Sequence, residues 1–213
     1  ISALLIFTAV FAHWGKDELP LRAATLGYDY HEVMLNEGFQ NGDIIYAIDG
    51  KDCYEFTDAT SSLLLDNPQT VTVLRGDSLV NLTMSGHLLE NVNNMGAKQL
   101  IGYRIPFVVR SVVDGGNAAK AGLMAGDSIV SVNDSMLAAF SDITAALGQH
   151  ADDTVSIGFY RAGELMTLPV SVNEAGKIGV QAETNIARLF SGYRHVDYSF
   201  FAAIPAGIAH GWE

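Results

Sequence analysis

His31 and Glu32 come closest in this chain to a catalytic pattern. A zinc peptidase helix carries two histidines one turn apart, which bind the metal, and a glutamate after the first histidine, which acts as the base. The second histidine would stand at position 35, where the sequence has Leu35. We therefore expect His31 and Glu32 to open an ordinary surface helix, and we predict no metal site there.

The other reactive side chains show no spacing typical of catalysis. The six histidines are scattered without the separations of metal ligands, and the sequence contains no Gly-x-Ser-x-Gly turn. Cys53 is the only cysteine, so it cannot form an internal disulfide. Its acidic neighbours Asp52 and Glu55 should raise the pKa of its thiol rather than activate it. We predict no catalytic residue, no metal ligand and no cofactor in this chain.

The charge of the chain excludes some classes of partner. It carries 24 acidic against 12 basic residues, a formal net charge of −12. Nucleic acid and anionic lipid both attract basic surfaces. We therefore expect no nucleic-acid binding and no electrostatic attachment to a membrane, and we interpret the acidic surface as a source of solubility.

Residues 38–63 and 122–147 are two copies of one sequence pattern, offset by 84 positions. The octapeptide Gly-Phe-Gln-Asn-Gly-Asp-Ile-Ile at 38–45 returns as Gly-Leu-Met-Ala-Gly-Asp-Ser-Ile at 122–129. Solenoid repeats are shorter, about 20–50 residues, so each copy should close a core of its own. Shorter matches precede and follow the main one, at 25–28 with 100–103 and at 75–79 with 161–165.

Both copies predict the same order of elements. Strands are indicated by β-branched runs and alternation, helices by apolar residues at helical spacing, and turns by glycine. We predict an α+β fold that is mainly β, with two domains in tandem, each a small, partly open β-barrel or sandwich with two helices. The predicted elements are 31–37, 57–65 and the hairpin 70–85 in the first copy, and 107–113, 118–121, 128–132, 142–150 and the hairpin 154–172 in the second.

The second copy contains Asn-Ala-Ala-Lys-Ala-Gly-Leu-Met-Ala-Gly-Asp-Ser-Ile-Val-Ser-Val-Asn at 117–133, which resembles the signature of bacterial PDZ domains. Upstream of each copy, the segments 100–103 and 26–28 resemble the PDZ loop that binds a terminal carboxylate. The resemblance implies that backbone N–H groups of this loop hold the end of a peptide. The peptide then adds as a strand beside the longer helix.

We expect the second copy to carry the working groove. Lys98 and Arg104 flank its loop with positive charge, whereas Asp29 follows the first loop and would repel a terminal carboxylate. An alternative is that residues such as Phe107 only complete the core. The predicted peptide-binding residues are Leu100, Ile101, Gly102, Tyr103, Ile105, Phe107, Ile143 and Leu147, with Leu26, Gly27 and Tyr28 as a weaker loop in the first copy. We predict that a charged residue at Ile143 abolishes peptide binding.

Both ends of the chain are apolar, over residues 1–12 and 198–209, and no methionine precedes Ile1. Twelve residues are fewer than the about 20 that span a bilayer, so we expect a piece of a longer protein that begins in a truncated membrane helix. The alternative is an ordinary buried element. The predicted limits are 1–15 for the helix end, 16–88 for the first domain, 89–98 for a linker, 99–182 for the second domain and 183–213 for a segment that leads back to the membrane.

Two PDZ-like copies between such ends resemble the periplasmic region of site-2-type intramembrane zinc metalloproteases, the regulator of sigma-E protease family. The resemblance implies a parent endopeptidase in the bacterial inner membrane whose zinc is bound outside this region. The PDZ domains would gate or bind membrane-protein substrates, such as a cleaved anti-sigma factor, for regulated intramembrane proteolysis. The alternatives are a PDZ pair of an HtrA-type serine protease and a non-enzymatic scaffold or secretion adaptor. In each case the partner is a protein or peptide, with a free C-terminus as one candidate.

Overall fold

The computed structural model describes residues 16–196, and its side chains from residue 19 onward. The predictions for residues 1–15 and 197–213 lie outside this part of the chain. The strands are β1 (Lys16–Glu18), β2 (Tyr28–Tyr30), β3 (Ile44–Ile48), β4 (Lys51–Asp52), β5 (Thr70–Arg75), β6 (Ser78–Thr83), β7 (Ile101–Tyr103), β8 (Phe107–Val112), β9 (Ser128–Val132), β10 (Ser135–Met136), β11 (Thr154–Arg161), β12 (Glu164–Ser171), β13 (Val180–Ala182) and β14 (Arg194–Val196).

Six short α-helices and one 3-10 turn accompany the strands in this range. None of the helices in residues 16–196 has the length and apolarity that crossing a membrane requires. The helices are α1 (Glu32–Asn36), α2 (Phe56–Leu65), α3 (Leu88–Met95), α4 (Asn117–Ala121), α5 (Phe140–Gly148) and α6 (Ile186–Leu189), and the 3-10 turn is Leu21–Ala23.

The strands of residues 16–196 form four antiparallel sheets. The largest has the order β12-β11-β9-β8-β13, with β10 beside β9, and a second has the order β4-β3-β5-β6. Two further pairs join strands that are distant in sequence, β2 with β7 and β1 with β14. The chain is therefore mainly β, with open sheets.

The hydrophobic residues separate into two clusters, which we call the first core and the second core. The first core is built around β3, β5, α1 and α2, and it also receives α3, β7 and the stretch around α6. The second core is built around β8, β9, β11 and α5. Buried members of the first core include Leu21, Tyr28, Met34, Ile45, Leu63, Val71, Leu88, Ile101 and Phe190, and those of the second include Phe107, Val109, Ile129, Ile143, Leu147, Ile157, Phe159 and Ile178.

Residues 88–105 pack against the first core, although we predicted a linker at 89–98 and the start of a second domain at 99. Leu88 is 3% exposed, and Val92, one helical turn later, packs against the same cluster. Asn91, Asn93 and Asn94 have low helix propensity, but the burial of one apolar helix face outweighs it. The helix ends at Gly96, whose φ of 62° is left-handed.

The residues of the second core lie, in sequence, between two segments that belong to the first core. The chain leaves the first core after Ile105, enters the second at Phe107, and returns through Ile186, Leu189 and Phe190, which pack against the first core again. Two chain crossings, near 104–106 and 183–185, therefore connect the cores. We predicted that the second domain ends at 182 and that 183–213 form a tail. In the structure, the part of this tail that includes Ile186, Leu189 and Phe190 packs against the first core.

Most predicted elements inside the two copies are present. The predicted strand at 128–132 and both hairpins agree with β9, β5–β6 and β11–β12. Helix α5 begins at Phe140, two residues before the prediction, and its N-cap Ala139 provides no side-chain hydrogen bond. Ser141 and Asp142, whose side chains are of the types that often cap a helix, lie inside it.

A buried carboxylate joins the α1–β3 turn to the β5–β6 hairpin. Asp43, 1% exposed, accepts hydrogen bonds from Arg75 Nε and Nη2, each at 2.8 Å. The same guanidinium donates to the Gly38 carbonyl at 2.9 Å, and the amide of Gln40 donates to Asp43 at 2.9 Å. Paired and hydrogen-bonded in this way, a charge can be buried without an unsatisfied group.

The second core contains the same arrangement at equivalent sequence positions. Asp127, also 1% exposed, accepts two bonds of 2.7 Å from Arg161. Arg161 donates to the Gly122 carbonyl at 2.9 Å, and the amide of Met124 donates to Asp127 at 2.8 Å. In each core, therefore, one arginine donates hydrogen bonds both to a buried aspartate and to a backbone carbonyl at the end of a helix.

We expect Asp127→Asn to lower the free energy of unfolding at pH 7 by about 2 kcal/mol, the scale of hydrogen bonds to charged groups. Burial alone would raise the pKa of Asp127, but the bonds from Arg161 and the Met124 amide lower it below the ordinary 3.8. The charged form therefore stabilises the fold above about pH 4, and this stabilisation is lost as the pH falls through the lowered pKa.

Urea unfolding of wild type and Asp127→Asn between pH 2 and 7 measures this effect. The acid loss of stability should be smaller in the variant, because it lacks the titrating group. Glu164→Gln, an exposed change in β12, is the matched control and should follow wild type. Identical pH profiles for wild type and Asp127→Asn would contradict the assignment.

Candidate peptide-binding groove

A cleft of about 620 Å³ lies between α5 and the loop that precedes β13. Helix α5 forms one wall, and the loop with the first residue of β13 forms the other. The lining residues are Phe107, Val113, Gly116, Asn117, Phe140, Thr144, Leu147, Asn173, Gly176, Lys177, Ile178, Gly179 and Val180.

The floor of this groove is apolar. Phe107 and Phe140 meet edge to face, with their ring centroids 4.8 Å apart. Leu147 and Ile178, each 2% exposed, complete the floor from opposite walls. Such a surface favours an apolar side chain of a ligand, because each buried CH₂ contributes about 0.8 kcal/mol.

Strand β13 offers an open edge on its groove side. It lies at the end of its sheet and pairs only with β8 among the described strands. The Gly179 carbonyl accepts the Val113 amide at 2.9 Å, and the Glu183 amide donates to Val108 at 2.8 Å. Because backbone groups alternate in direction along a strand, those of Val180 face away from β8. An extended peptide can pair there.

Hydrogen bonds hold the loop before β13, and two of its backbone amides remain free within the described part of the chain. The Ile178 carbonyl accepts the Ala118 amide at 2.8 Å, and Asn173 Oδ1 accepts the Lys177 amide at 2.9 Å. Gly179 has a left-handed φ of 86°, which an L side chain rarely adopts. Within residues 16–196, the amides of Ile178 and Gly179 have no hydrogen-bond acceptor. Adjacent free amides of this kind can bind an anionic group.

The structure does not bring the predicted site residues into one groove. Phe107 and Leu147 line the α5–β13 groove, whereas Ile143 is fully buried beneath it in the second core. Leu100, Ile101, Tyr103 and Ile105 pack against the first core, and Gly102 lies in β7 opposite Asp29 of β2.

The segment Ile178-Gly179-Val180 lines the groove beside α5, where we had expected 100–103 to lie. It has the same pattern of a glycine between two apolar residues, so the sequence contained the signal. A three-residue pattern is short, and the occurrence at 100–103 is the one that directly precedes the repeat. Only the pairing of β13 with β8 distinguishes the two occurrences.

The weaker predicted loop, 26–28, lies within the first core. Tyr28 is fully buried and its hydroxyl donates to the Leu21 carbonyl at 3.0 Å. The Gly27 amide donates to Ala24 at 2.8 Å, and its carbonyl accepts the Arg104 amide at 3.2 Å. The two segments that we compared as equivalent loops are paired strands, with Tyr28 opposite Tyr103.

The positive charge that we expected from Arg104 is not available to a ligand. Arg104 is 8% exposed, its Nη1 donates to Asp29 at 2.6 Å, and its Nη2 donates to Asp142. Burial alone would lower the pKa of Arg104, but the bonds to the two carboxylates outweigh it and raise the pKa. The repulsive charge expected from Asp29 is neutralised by the same pair. Lys177, exposed beside the loop, is the cation at this groove.

A second apolar cleft, of about 260 Å³, lies between α2 and the segment before β7. Phe56, Leu63 and Ile101 line it, and Val92 of α3 closes one side. Within residues 16–196, no group of three or more acidic, histidine or cysteine side chains is placed to hold a metal ion. Burial, followed by the charges of Asp58 and Asp52, raises the pKa of Cys53, so its thiol is not activated.

Residues 89–172 match the family model described as PDZ domain. The fold is thus PDZ-like, and PDZ domains as a class bind peptides or protein C-termini. The matched range begins within α3 and ends before β13. It therefore includes β7, which packs in the first core, and omits the strand that borders the groove.

The relatives are two kinds of protease. "Serine protease Do-like HtrA" of Lactococcus lactis subsp. lactis (strain IL1403) is 41% identical over 69 residues, 32% of this chain and 17% of that protein. "Putative zinc metalloprotease" of Treponema pallidum (strain Nichols) is 30% identical over 104 residues, 48% of this chain and 23% of that protein. This chain thus spans about a fifth of the length of these relatives. Among solved structures, the PDZ domain of an SdrC-like protein from Listeria monocytogenes covers 36% of this chain and 86% of that chain, with 22% identity and a TM-score of 0.33.

Proposed function

We propose that the α5–β13 groove binds the C-terminal segment of a protein substrate as an added strand. The observation that carries this proposal is the open edge of β13 directly after two free amides, those of Ile178 and Gly179. The strand edge supplies main-chain hydrogen bonds, the amides and Lys177 receive the terminal carboxylate, and the apolar floor receives its side chain.

We further propose that each core belongs to its own PDZ domain, with the second domain inserted in the first at residues 106–182. The repeated carboxylate–guanidinium arrangements, Asp43 with Arg75 and Asp127 with Arg161, support a duplicated unit. Each core also places a groove between its longer helix and an edge strand, α2 with β7 and α5 with β13. Helix α3 narrows the first groove, so we assign peptide binding to the second.

For the parent protein, we propose a membrane-embedded zinc metalloprotease of the site-2 type, in which this region faces the periplasm and selects substrates. Its zinc would be bound outside this region. The similarity to the Treponema protein extends over 48% of this chain, more than the 32% of the HtrA match. The pairing of β1 with β14 also supports the proposal, because Lys16 and Val196, the described residues next to the two apolar segments, lie side by side.

An HtrA-type serine protease is the second candidate for the parent, favoured by the 41% identity over 69 residues. The complete reading frame distinguishes the two candidates. A His-Glu-x-x-His sequence before Ile1 identifies the zinc protease, and a trypsin-like domain there identifies the serine protease. Neither parent alters the proposal for the groove.

The test of the groove is fluorescence anisotropy with a labelled decapeptide that ends in Val-Leu-Ala. We expect binding that weakens at least about tenfold when the peptide is amidated, since charged hydrogen bonds contribute about 1.5–3 kcal/mol. Lys177→Ala should weaken binding about threefold and reduce its salt dependence, because an exposed rim charge contributes modestly.

Lys98→Ala is the matched control, since Lys98 is also exposed but lies beside the segment 100–103. It should bind the peptide as wild type does. A loss of affinity in Lys98→Ala but not in Lys177→Ala would place the carboxylate at the other loop. Equal binding of the free and amidated peptides would refute recognition of a chain end.

A further inference from the structure

Arg104 lies where the chain crosses from the first core to the second. Its backbone amide donates to Gly27 at 3.2 Å, and its Nη1 donates to Asp29 of β2 at 2.6 Å. Both contacts are with the first core. Its Nη2 turns the other way and donates to Asp142 in the first turn of α5.

The next residue makes a second tie to the same helix. The carbonyl of Ile105 accepts the amide of Phe140, the first residue of α5, at 2.8 Å. Phe140 lines the groove and packs edge to face on Phe107. The first turn of the groove wall is therefore attached to a segment that belongs to the first core.

We infer that Arg104 is a positioning residue for the groove, which it holds in its binding conformation by tying α5 to β2 through Asp142 and Asp29. The inference rests on the proposed function of the groove and extends it. Peptide affinity in the second core then depends on Asp29, a residue of the first core that lines no part of the groove. Arg104 itself does not touch the ligand.

The chemistry of the guanidinium suits this role. Its nitrogens point in fixed directions within one plane, so one side chain can hold two carboxylates at a set separation. Arg104 is 10% exposed in its side chain, against 30% for Asp29 and 34% for Asp142. A partly buried pair is less screened than a surface pair, and the position of one carboxylate therefore constrains the other. A lysine carries one ammonium and cannot reproduce the fork.

The direct test is Asp29→Asn, which keeps the shape of the side chain and removes the charge that anchors Arg104 to β2. We expect the Val-Leu-Ala peptide to bind about fivefold more weakly, the lower end of typical coupling between sites. Asp52→Asn is the matched control, because it removes another ion pair of the first core, Arg22 with Asp52 at 3.4 Å, and it should leave affinity unchanged. Arg104→Lys should weaken binding as Asp29→Asn does.

Amide hydrogen exchange without peptide gives a readout that does not depend on binding. Asp29→Asn should speed exchange of the Phe140 amide several-fold, while the β11–β12 amides of the second core keep their protection. Wild-type affinity and wild-type exchange of Phe140 in Asp29→Asn would overturn the inference. If the wild-type protein does not bind the peptide, the proposed function of the groove is refuted. In that case, faster exchange of the Phe140 amide in Asp29→Asn would still support the connection of α5 to β2 through Arg104.

Discussion

Replacing Gly27 with alanine is expected to destabilise the first core by about 4 kcal/mol, the sum of a left-handed backbone and an overpacked contact. Gly27 has a φ of 69°, and an added Cβ would lie 2.1 Å from the carbonyl oxygen of Gly42. The neighbour is backbone, so it cannot turn aside as a side chain would. This close approach to Gly42 therefore requires glycine at position 27.

Gly50→Ala separates the two contributions. Gly50 also has a left-handed φ, 76°, but nothing lies within 4 Å of an added Cβ. It should lose only about 1–2 kcal/mol, the cost of the backbone conformation alone. Urea unfolding of both variants measures the difference. Equal losses would show that the approach of Gly27 to Gly42 does not constrain the fold.

Ile143→Lys is expected to unfold the second core, a larger effect than the loss of binding that we predicted from the sequence. Ile143 is fully buried, between β-strands and the body of α5. An unpaired ammonium there loses its hydration without a partner, which costs several kcal/mol. Far- and near-ultraviolet circular dichroism of the variant, compared with wild type, measures this unfolding.

Thr144→Lys, one residue later, is the matched comparison. Thr144 is partly exposed and lines the groove, and its hydroxyl bonds only within α5, to Phe140 and Ser141 at 2.9 Å each. The lysine can extend into solvent, so the protein should remain folded while peptide affinity falls at least about tenfold through obstruction of the groove. A folded Ile143→Lys protein, or full affinity in Thr144→Lys, would contradict this division between core and groove.

Local pattern predicted most elements, because alternation and helical spacing report directly on which faces are buried. Strand β9 and both hairpins follow from β-branched runs bounded by glycine turns. The groove did not follow, because β13 lies about 70 residues from β8 in sequence and short patterns do not encode such pairings. For the same reason the sequence did not predict that 101–103 pair with β2, which lies about as far away toward the N-terminus.

Charges were predicted less well than strands, since the sequence shows which charges exist but not which of them meet. Arg104 was interpreted as a free cation, and Asp29 as a repulsive anion. In the fold they neutralise each other, and Lys177, which no sequence pattern indicates, lies beside the loop.

The short ribbon of β1 and β14 has a mechanical consequence. Lys16 faces Val196, and Asp17 faces His195, so the first and last described residues enter and leave side by side. Tension applied at these two points would open the ribbon one hydrogen bond at a time, as a zip opens, and would reach the cores only afterwards. For the same reason residues 16–196 could be grafted into a surface loop of another protein without stretching the host, since facing residues of an antiparallel pair lie about 5 Å apart.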